Sequence, residues 1–400
     1  MAAKKWDSNK EIDYFREYLR IPSVHPNPNY APCVEFLKRQ AKDLDLPIKV
    51  YYPFDKQNPV VVLTWEGTEK EWPSILLNSH MDVVPVFPES WTHPPFGADI
   101  DEDGRIFARG SQDMKCVGMQ YLAAIRALKE KGSRFKRTIH ISFVPDEELG
   151  GRKGMLPFVS SKQFKLLNIG FSLDEGIASS TSEFPVFYAE RTVKRVIFKI
   201  SGSAGHGLLL MPNTAGEKFS YLTSKLMEFR EGQVKRLKDN PELQIGDVTT
   251  INLTSVDGGV QSNVVPPMLT ACFDIRLSLD IKVLEFEAYL DKWCEEAGGE
   301  IELDISRKDH IPPTVTDDSN PFWVAFKRAT EELGLSTKLQ VFPGGTDSRH
   351  IRKVGIPALG FSPMNNTPVL LHDHDEFINA DTYLKGVEIY QKIIENLTNV

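Results

Sequence analysis

The sequence predicts an α/β protein in which one α/β domain is interrupted by a smaller α+β domain. Helical and strand-like patterns alternate over about residues 1–190 and again over 308–400, which is typical of a mostly parallel sheet covered by helices. Between them, residues 191–307 follow the order β-α-β-β-α-β, the order of the ferredoxin-like motif. A chain of 400 residues is also longer than a single core usually supports.

Helices and apolar strands alternate along the first α/β segment. The helices are predicted at residues 10–19, 31–44 and 113–131. The third helix places Val117, Tyr121 and Ile125 on one face, which is the spacing that a helix packed against a core requires. The strands are predicted at residues 59–64, 74–78, 138–144 and 169–173.

In the middle segment, apolar residues recur at every second position, as they do in half-buried strands. Val196, Phe198 and Ile200 show this alternation and predict a strand. The remaining patterns predict helices at 214–238 and 282–297 and strands at 249–253, 269–277 and 301–305.

The final segment returns to the α/β pattern. Asp318, followed by Pro321, is predicted to cap a helix that ends near Leu333, since short polar side chains and proline favour helix starts. The rest of the segment predicts strands at 339–342 and 357–361 and a helix at 381–397.

Composition excludes several classes of protein. The chain has 47 Lys plus Arg and 55 Asp plus Glu, a net charge of -8, and no basic stretch of the kind that binds nucleic acid. No apolar run approaches the roughly 18 residues of a membrane helix, and the first residues lack the apolar core of a secretory signal. The four cysteines are scattered, so free thiols and a cytoplasmic location are expected.

In five stretches, His, Asp or Glu residues of the kind that bind metals lie at the end of a predicted strand or loop. Open α/β sheets bind ligands at the carboxyl ends of their strands, where such groups converge. The stretches are 76–82 with His80 and Asp82, 109–115 with Asp113, 144–148 with Glu147 and Glu148, 173–176 with Glu175, and 371–376 with His372 and His374.

This mixture of residues fits hydrolysis assisted by zinc. Imidazole and carboxylate groups are ligands of Zn²⁺, and two neighbouring ions need one carboxylate that faces both. A further carboxylate must take a proton from water, and either Glu147 or Glu148 can do so on the residues alone. Likewise, either His372 or His374 can be the ligand, while Asp82 is placed to fix the tautomer of the His80 imidazole.

These motifs resemble the M20 family of zinc-dependent amidohydrolases. The resemblance extends over nearly the whole chain, and it implies a zinc-peptidase-like catalytic domain formed by residues 1–190 and 308–400. It also implies that residues 191–307 are an inserted ferredoxin-like lid that forms a homodimer. The motifs that carry it are 74–85, 108–115, 138–151, 258–260 with Asn263, Thr346-Asp347 with Arg349, and 363–376.

The resemblance implies roles that the residues alone left open. Two zinc ions per subunit are expected, with Glu147 as the general base. The spacing His-x-x-Asp-Glu selects His372 over His374. The implied metal ligands are His80 and Glu175 for one ion, Glu148 and His372 for the other, and Asp113 between the two.

Further residues are implied to contact the substrate. His206, in a Gly-rich turn of the lid, is expected to enter the active site of a partner subunit and polarise the scissile carbonyl, with Asn263 nearby. Thr346 and Arg349 are expected to bind the free carboxylate of the substrate, for which a guanidinium is well suited. Arg276 is a second candidate for that carboxylate; a surface salt bridge is the alternative.

The implied activity is hydrolysis of N-acyl-L-amino acids to a carboxylate and a free L-amino acid. A carboxypeptidase or dipeptidase of the same family is the alternative, and Glu rather than Asp at position 175 counts against a dipeptidase. The apolar run 208–211 after His206 departs from the small or polar residues expected there. It predicts either packing of the lid or dimer, or an apolar wall for long acyl groups.

Overall fold

A computed structural model of the chain describes residues 6–305 and 311–400. Its helices are α1 (Lys10–Leu19), α2 (Ala31–Asp43), α3 (Lys115–Glu130), α4 (Met155–Ser160), α5 (Lys162–Leu166), α6 (Ala215–Asp239), α7 (Val283–Glu296), α8 (Pro321–Glu332), α9 (Ser348–Lys353) and α10 (Ala380–Leu397). Its strands are β1 (Ile48–Tyr51), β2 (Val60–Trp65), β3 (Ser74–His80), β4 (Asp99–Ile100), β5 (Arg105–Phe107), β6 (Ile139–Val144), β7 (Ile169–Asp174), β8 (Phe184–Glu190), β9 (Thr192–Ser201), β10 (Gly205–His206), β11 (Thr250–Gly258), β12 (Val264–Val265), β13 (Met268–Leu277), β14 (Ile301–Ile305), β15 (Thr337–Phe342), β16 (Ala358–Gly360) and β17 (Phe377–Asn379).

The chain divides into two compact units. The first comprises residues 1–189, 312–339 and 345–400, and the second comprises 190–311 and 340–344. The predicted boundary between 307 and 308 lies outside the described residues. Residues 340–344, which the sequence patterns assigned to the last α/β segment, group with the second unit because Arg191 and Arg276 both donate to the carbonyl of Pro343, at 2.8 and 3.2 Å.

An eight-stranded sheet forms the centre of the first unit, in the order β1-β2-β6-β3-β7-β16-β8-β15. Strands β6, β3, β7 and β16 pair in parallel, whereas β1 with β2, β2 with β6 and β16 with β8 are antiparallel. The four central strands are parallel, as predicted, and the antiparallel pairs on either side of them make the sheet mixed. A parallel crossover needs a dozen or more residues, and the link from β1 to β2, residues 52–59, is shorter than that.

Helices cover both faces of this sheet. Along β2, Val61 and Leu63 belong to a large core that also receives α1, α2, α3, α8 and α10, while Val60 and Val62 belong to a second core with α4 and α5. Because successive side chains of a strand point to opposite faces, both faces are buried. This is why β2 begins with the uninterrupted apolar run Val60 to Leu63.

Three central strands bring their carboxyl ends to one edge of the sheet. β3 ends at His80, β6 at Val144 and β7 at Asp174, and β3 runs parallel to both neighbours. Loops that follow these strands therefore meet at the same edge, which is where open α/β sheets bind ligands.

The second unit contains a four-stranded antiparallel sheet in the order β11-β13-β9-β14. Its elements follow the chain as β9-α6-β11-β13-α7-β14, which is the β-α-β-β-α-β order read from the sequence. One face packs on α6 and α7 around Phe198, Phe273, Leu222 and Leu290. The edge strand β11 leaves residues 252–258 exposed.

Two helix starts differ from the sequence prediction. α8 is capped by Asn320 rather than Asp318, because Asn320 Oδ1 accepts from the N–H groups of Phe322 and Trp323 at 3.1 and 3.4 Å. α3 begins at Lys115, so Asp113 lies outside the helix and does not cap it. That leaves the Asp113 carboxylate available for another task.

The four cysteines all lie in the described residues and form no disulfide, as predicted, and Cys33, Cys116 and Cys294 are buried. Across residues 6–305 and 311–400, none of the helices combines the length and apolarity that crossing a membrane requires.

Candidate metal centre

The structure brings the five predicted ligands together in two groups that share Asp113. One group contains His80, Asp113 and Glu175, and the other Asp113, Glu148 and His372; within each group the ligand atoms lie within 4.8 Å of one another. Asp113 Oδ1 is 3.0 Å from His80 Nε2, and its Oδ2 is 3.3 Å from His372 Nε2. One carboxylate thus faces both groups, as a bridge between two metal ions must.

His374, the alternative histidine, lies apart from these groups. Its ring contacts Phe87, with centroids 6.3 Å apart, and it is in neither ligand group of the described residues. His372 adopts a left-handed φ of 62°, and its Nε2 lies 3.2 Å from Glu148 Oε2.

The orientation of His80 is set by the main chain. His80 Nδ1 lies 2.8 Å from the carbonyl oxygen of Asp82, but 3.7 Å from its carboxylate. The carbonyl accepts the Nδ1 proton, which leaves Nε2 as the lone-pair nitrogen for a metal. The prediction that the Asp82 carboxylate fixes this tautomer is therefore wrong, because the chain turns after β3 and presents its carbonyl to the ring.

The carboxylate of Asp82 instead holds the acidic turn that follows β6. Its Oδ1 accepts from the Glu147 N–H at 3.2 Å and its Oδ2 from the Glu148 N–H at 3.1 Å. The turn begins at Asp146 with φ 67°, and the Asp146 N–H donates to Tyr30 Oη at 3.1 Å. These bonds direct the neighbouring Glu147 and Glu148 side chains to their separate positions.

Asp113 is positioned by a residue to which the sequence analysis assigned no role. The fully buried carboxylate of Glu376 accepts from the N–H groups of Gln112 at 2.6 Å and Asp113 at 3.3 Å, and from Gly110 N–H at 3.3 Å. Since Glu376 lies only four residues after His372, it ties together the loops that carry two of the ligands.

A buried arginine compensates the charge of Glu376. Arg109 Nη1 lies 2.6 Å from Glu376 Oε2, and the two side chains are 2% and 0% exposed. The Arg109 guanidinium also lies 5.3 Å from the ring of Trp91, a cation–π distance. Sequence reasoning missed the pair because 267 residues separate its members.

The electrostatics of the site call for cations. Burial, followed by the charge of Asp113, raises the pKa of Glu148 to about 7 and that of Glu175 well above its usual range. Burial and the charge of Glu175 likewise raise the pKa of Glu147. Hydrogen bonds to Asp113 and Glu148 raise the pKa of His372 to about 10, so positive charge is strongly favoured where these side chains meet.

The residues present fit divalent metal ions. Oε1 of Glu147 and Oε1 of Glu148 are buried and have no hydrogen-bond partner among the described residues. Buried carboxylates without donors are costly, and a bound cation reverses that cost. Nitrogen and oxygen donors in two triads joined through Asp113 are the ligand chemistry of Zn²⁺.

Asp347, next to the predicted Thr346, is buried against the acidic turn. A Cβ added to Gly151, which has φ 65°, would lie 2.8 Å from Asp347 Oδ1, so only glycine fits there. Asn78 Nδ2 donates to Asp174 at 3.1 Å and approaches Asp347 at 3.5 Å. The sequence analysis gave no role to Asp347, Asn78 or Asp174, because these residues do not occur at a spacing typical of metal ligands.

Arg349 borders the same turn. Its Nη2 is 3.6 Å from the position of a Cβ at Gly150, and its Nε is 3.3 Å from His350 Nε2. Thr346 Oγ1 accepts from the Ser348 N–H at 3.2 Å, which stabilises the start of α9. The structure therefore places Arg349 beside Gly150, two residues after Glu148, and gives Thr346 a local hydrogen bond.

The remaining predicted residues lie in the second unit. The strand β10 pairs with β12, and Gly207 N–H donates to the Asn263 carbonyl at 2.8 Å, so the exposed His206 and Asn263 share one pair of turns. Arg276 donates to Asp274 Oδ1 at 3.1 Å and to Pro343. Those bonds are the salt-bridge alternative that the sequence left open for Arg276.

Comparisons with known proteins place the chain in a family. The sequence model of peptidase family M20/M25/M40 matches residues 76–396. Aminoacylase-1 of Mus musculus is 49% identical over 393 residues, 97% of this chain and 95% of its own, and aminoacylase-1 of Homo sapiens is 47% identical over 98% and 97%. A dinuclear metal-binding M20 peptidase from Bacillus subtilis is 16% identical and has a TM-score of 0.70 over 97% and 98% of the chains, a likeness of fold.

We expect Arg109→Met to destabilise the protein by about 3–5 kcal/mol, because it leaves the Glu376 charge buried without its cation. Arg105→Met is the matched control, since Arg105 pairs with Asp101 at 2.7 Å while 43% of its side chain is exposed, and it should cost less than about 1 kcal/mol. Urea unfolding measures both. Equal losses of stability in the two variants would contradict the structural role assigned to the buried pair of Glu376 and Arg109.

Proposed function

The chain belongs to peptidase family M20/M25/M40, and on that premise we propose that it is a metal-dependent aminoacylase. It hydrolyses N-acyl-L-amino acids to a carboxylate and a free L-amino acid, as the name of its relatives describes for them. The observation that carries the proposal is the pair of ligand triads joined through Asp113, with the buried Glu147 beside them.

Two zinc ions are the proposed metals: His80 and Glu175 would hold one, Glu148 and His372 would hold the other, and Asp113 would be a ligand of both. Bound there, such ions would polarise a carbonyl and lower the pKa of a bound water to about 7. The number of triads and their nitrogen and oxygen donors support this choice.

Glu147 is proposed as the general base and then the general acid. Its carboxylate is 8% exposed and has a buried oxygen without a partner among the described residues, so it can accept the proton of water. The water oxygen then attacks the amide carbon, and Glu147 returns the proton to the departing amine. Asp82 supports this by holding the main chain of Glu147 in place.

Substrate recognition is proposed for residues outside the ligand groups. Arg349 binds the free carboxylate, for which its guanidinium has the right geometry, with Thr346 beside it and Arg276 as a further candidate. His206, exposed on its turn with Asn263, polarises the scissile carbonyl in the active site of a partner subunit. The second unit is therefore proposed as a lid and dimerisation domain.

A homodimer through this domain is supported by its surface. The edge strand β11 exposes Leu253 and Val256 at 37% and 50%, and exposed apolar edge strands are sites of association. A cytoplasmic location stays a prediction that the unpaired cysteines support.

The activity is tested by a substrate panel on the zinc-loaded protein. We expect kcat/KM for N-acetyl-L-methionine to exceed that for unblocked dipeptides by more than about 100-fold, because a site that pairs buried polar groups with one substrate strongly rejects another. Preference for the dipeptides would favour a dipeptidase, and preference for longer peptides over both would favour a carboxypeptidase.

The role of Glu147 is tested by comparing two substitutions. Glu147→Gln should retain both metal ions but lose about 10³-fold or more in kcat, since proton transfer typically supplies 10²–10⁴-fold. His80→Ala should lose metal as well as activity, because it removes a ligand. Metal content and steady-state rates measure the two effects, and an active Glu147→Gln variant would contradict the assignment.

The leucines after His206 are proposed to contact long acyl groups. Leu208, Leu209 and Leu210 are 73%, 55% and 104% exposed in a single protomer. The Leu208 and Leu209 N–H groups approach His206 Nδ1 and its carbonyl at 3.3 and 3.0 Å. The apolar run is thus adjacent to the residue proposed to contact the substrate carbonyl.

Replacing all three leucines by serine should lower kcat/KM for N-dodecanoyl-L-methionine by about 10-fold or more, because each buried methylene contributes about 0.8 kcal/mol. The kcat/KM for N-acetyl-L-methionine should change by less than about 2-fold, because the acetyl group has no methylene chain to contact the leucines. Val260→Ser, at a site 91% exposed, is the control. Equal loss with both substrates, accompanied by a monomeric mass in sedimentation, would assign these leucines to dimer packing instead.

A further inference from the structure

We propose that His25 is a positioning residue for the acidic turn, acting on Glu147 and Glu148 through the carboxylate of Asp82. The inference rests on the proposed function in taking Glu147 as the base and Glu148 as a metal ligand. His25 lies 55 residues before His80 in sequence and belongs to none of the five metal-ligand stretches.

The contact between His25 and Asp82 is direct and shielded from water. His25 Nε2 lies 2.8 Å from Asp82 Oδ2, and the side chains are 5% and 0% exposed. Because an ionised carboxylate only accepts hydrogen bonds, His25 Nε2 must carry the proton that it donates. Asp82 therefore has three donors, namely the His25 ring and the N–H groups of Glu147 and Glu148.

The backbone holds His25 in register with Asp82. The His25 N–H donates to the Val83 carbonyl at 3.1 Å, and the Val83 N–H donates to the Ser23 carbonyl at 3.0 Å. Val24 and Val83 form a parallel bridge. The segment before α2 thus runs beside the end of β3, and the ring of His25 faces the carboxylate because of this pairing.

Removing the His25 donor changes the position of the Asp82 carboxylate. A buried carboxylate that loses a donor moves toward another partner. That movement weakens its hydrogen bonds to the two N–H groups of the turn. Glu147 and Glu148 belong to that turn, so they move when it moves. The loss of His25 thus affects the proposed base and one proposed metal ligand through Asp82.

The same chain supplies a matched control. His140 is 6% exposed against 7% for His25, and it lies in β6, the strand that leads into the acidic turn. Its ring nitrogens contact Thr64 Oγ1 at 2.9 Å and the Leu167 carbonyl at 3.1 Å, and neither partner touches a metal ligand in the contacts described. Replacing it removes a buried imidazole from β6 without altering a contact of Asp82.

The experiment compares His25→Gln, His25→Asn, His25→Leu and His140→Leu in the full chain. The side-chain amide of Gln can reach the position of Nε2, whereas that of Asn ends near Nδ1 and is too short to donate to Asp82. We expect zinc affinity, measured by competition with a chelator, and kcat for N-acetyl-L-methionine to fall by about 10–100-fold in the Asn and Leu variants. The Gln variant should retain most of both, and KM should change little in all of them.

His140→Leu should lose stability to urea while keeping zinc affinity and kcat. If the folded Asn and Gln variants have the same zinc affinity and kcat, or if His140→Leu matches His25→Leu in both, the proposal is wrong. The comparison of Gln with Asn remains decisive if His25→Leu does not fold. Zinc affinity needs no substrate, so a wild-type protein without aminoacylase activity would overturn the proposed function and leave the test of His25 intact.

Discussion

The carboxylate of Glu376 accepts hydrogen bonds from the main chain of Gln112 and Asp113 while its charge is balanced by Arg109. This interaction determines where Asp113 stands, and Asp113 faces both ligand groups. The loop that carries Asp113 and the loop that carries His372 are thus held by one buried side chain. A bridge between two metal ions tolerates little displacement, since ligand distances vary by only tenths of an ångström.

A second buried carboxylate, that of Asp82, performs the same task for the acidic turn. It accepts from the N–H groups of Glu147 and Glu148, so two adjacent and chemically identical side chains acquire different surroundings. Glu376 and Asp82 therefore hold the loops, while Glu147 and Glu148 place negative charge at the centre. The division follows from their partners, because Glu376 and Asp82 are saturated with donors whereas Glu147 and Glu148 each retain a buried oxygen without one in the described residues.

Both units combine helices with a β-sheet, but the sheet is buried on both faces in the first unit and packs against helices on one face in the second. In the first, helices on both faces bury the strands and bring three carboxyl ends to one edge, so side chains there are positioned by a rigid sheet. In the second, helices cover one face of an antiparallel sheet, and β11 stays an exposed edge. A unit of that kind offers surface for association, which the proposed lid and dimer roles would use.

Local patterns by themselves determined most elements and the metal-ligand residue types. The spacing of apolar residues that predicts a helix or strand depends only on neighbours within one turn or one strand. The elements β2, β3, β6, α3 and α10 could therefore be predicted without knowledge of the fold. The patterns likewise predicted that the five stretches that contain His80, Asp113, the acidic run 146–148, Glu175 and the histidines at 372 and 374 would converge. The family resemblance then assigned different roles to Glu147 and Glu148 and chose His372 over His374 as a ligand. Chemistry alone could not do so, because the two members of each pair are the same residue type and lie close together in sequence.

Only the tertiary structure decided how those side chains are held. The bonds from Arg109 to Glu376 and from His25 to Asp82 join residues 267 and 57 positions apart, and no periodicity links such residues. It also decided that the carbonyl rather than the carboxylate of Asp82 orients His80, and that the sheet is mixed. Hydrogen bonding of buried polar groups depends on which atoms meet in space, and that information is absent from local sequence.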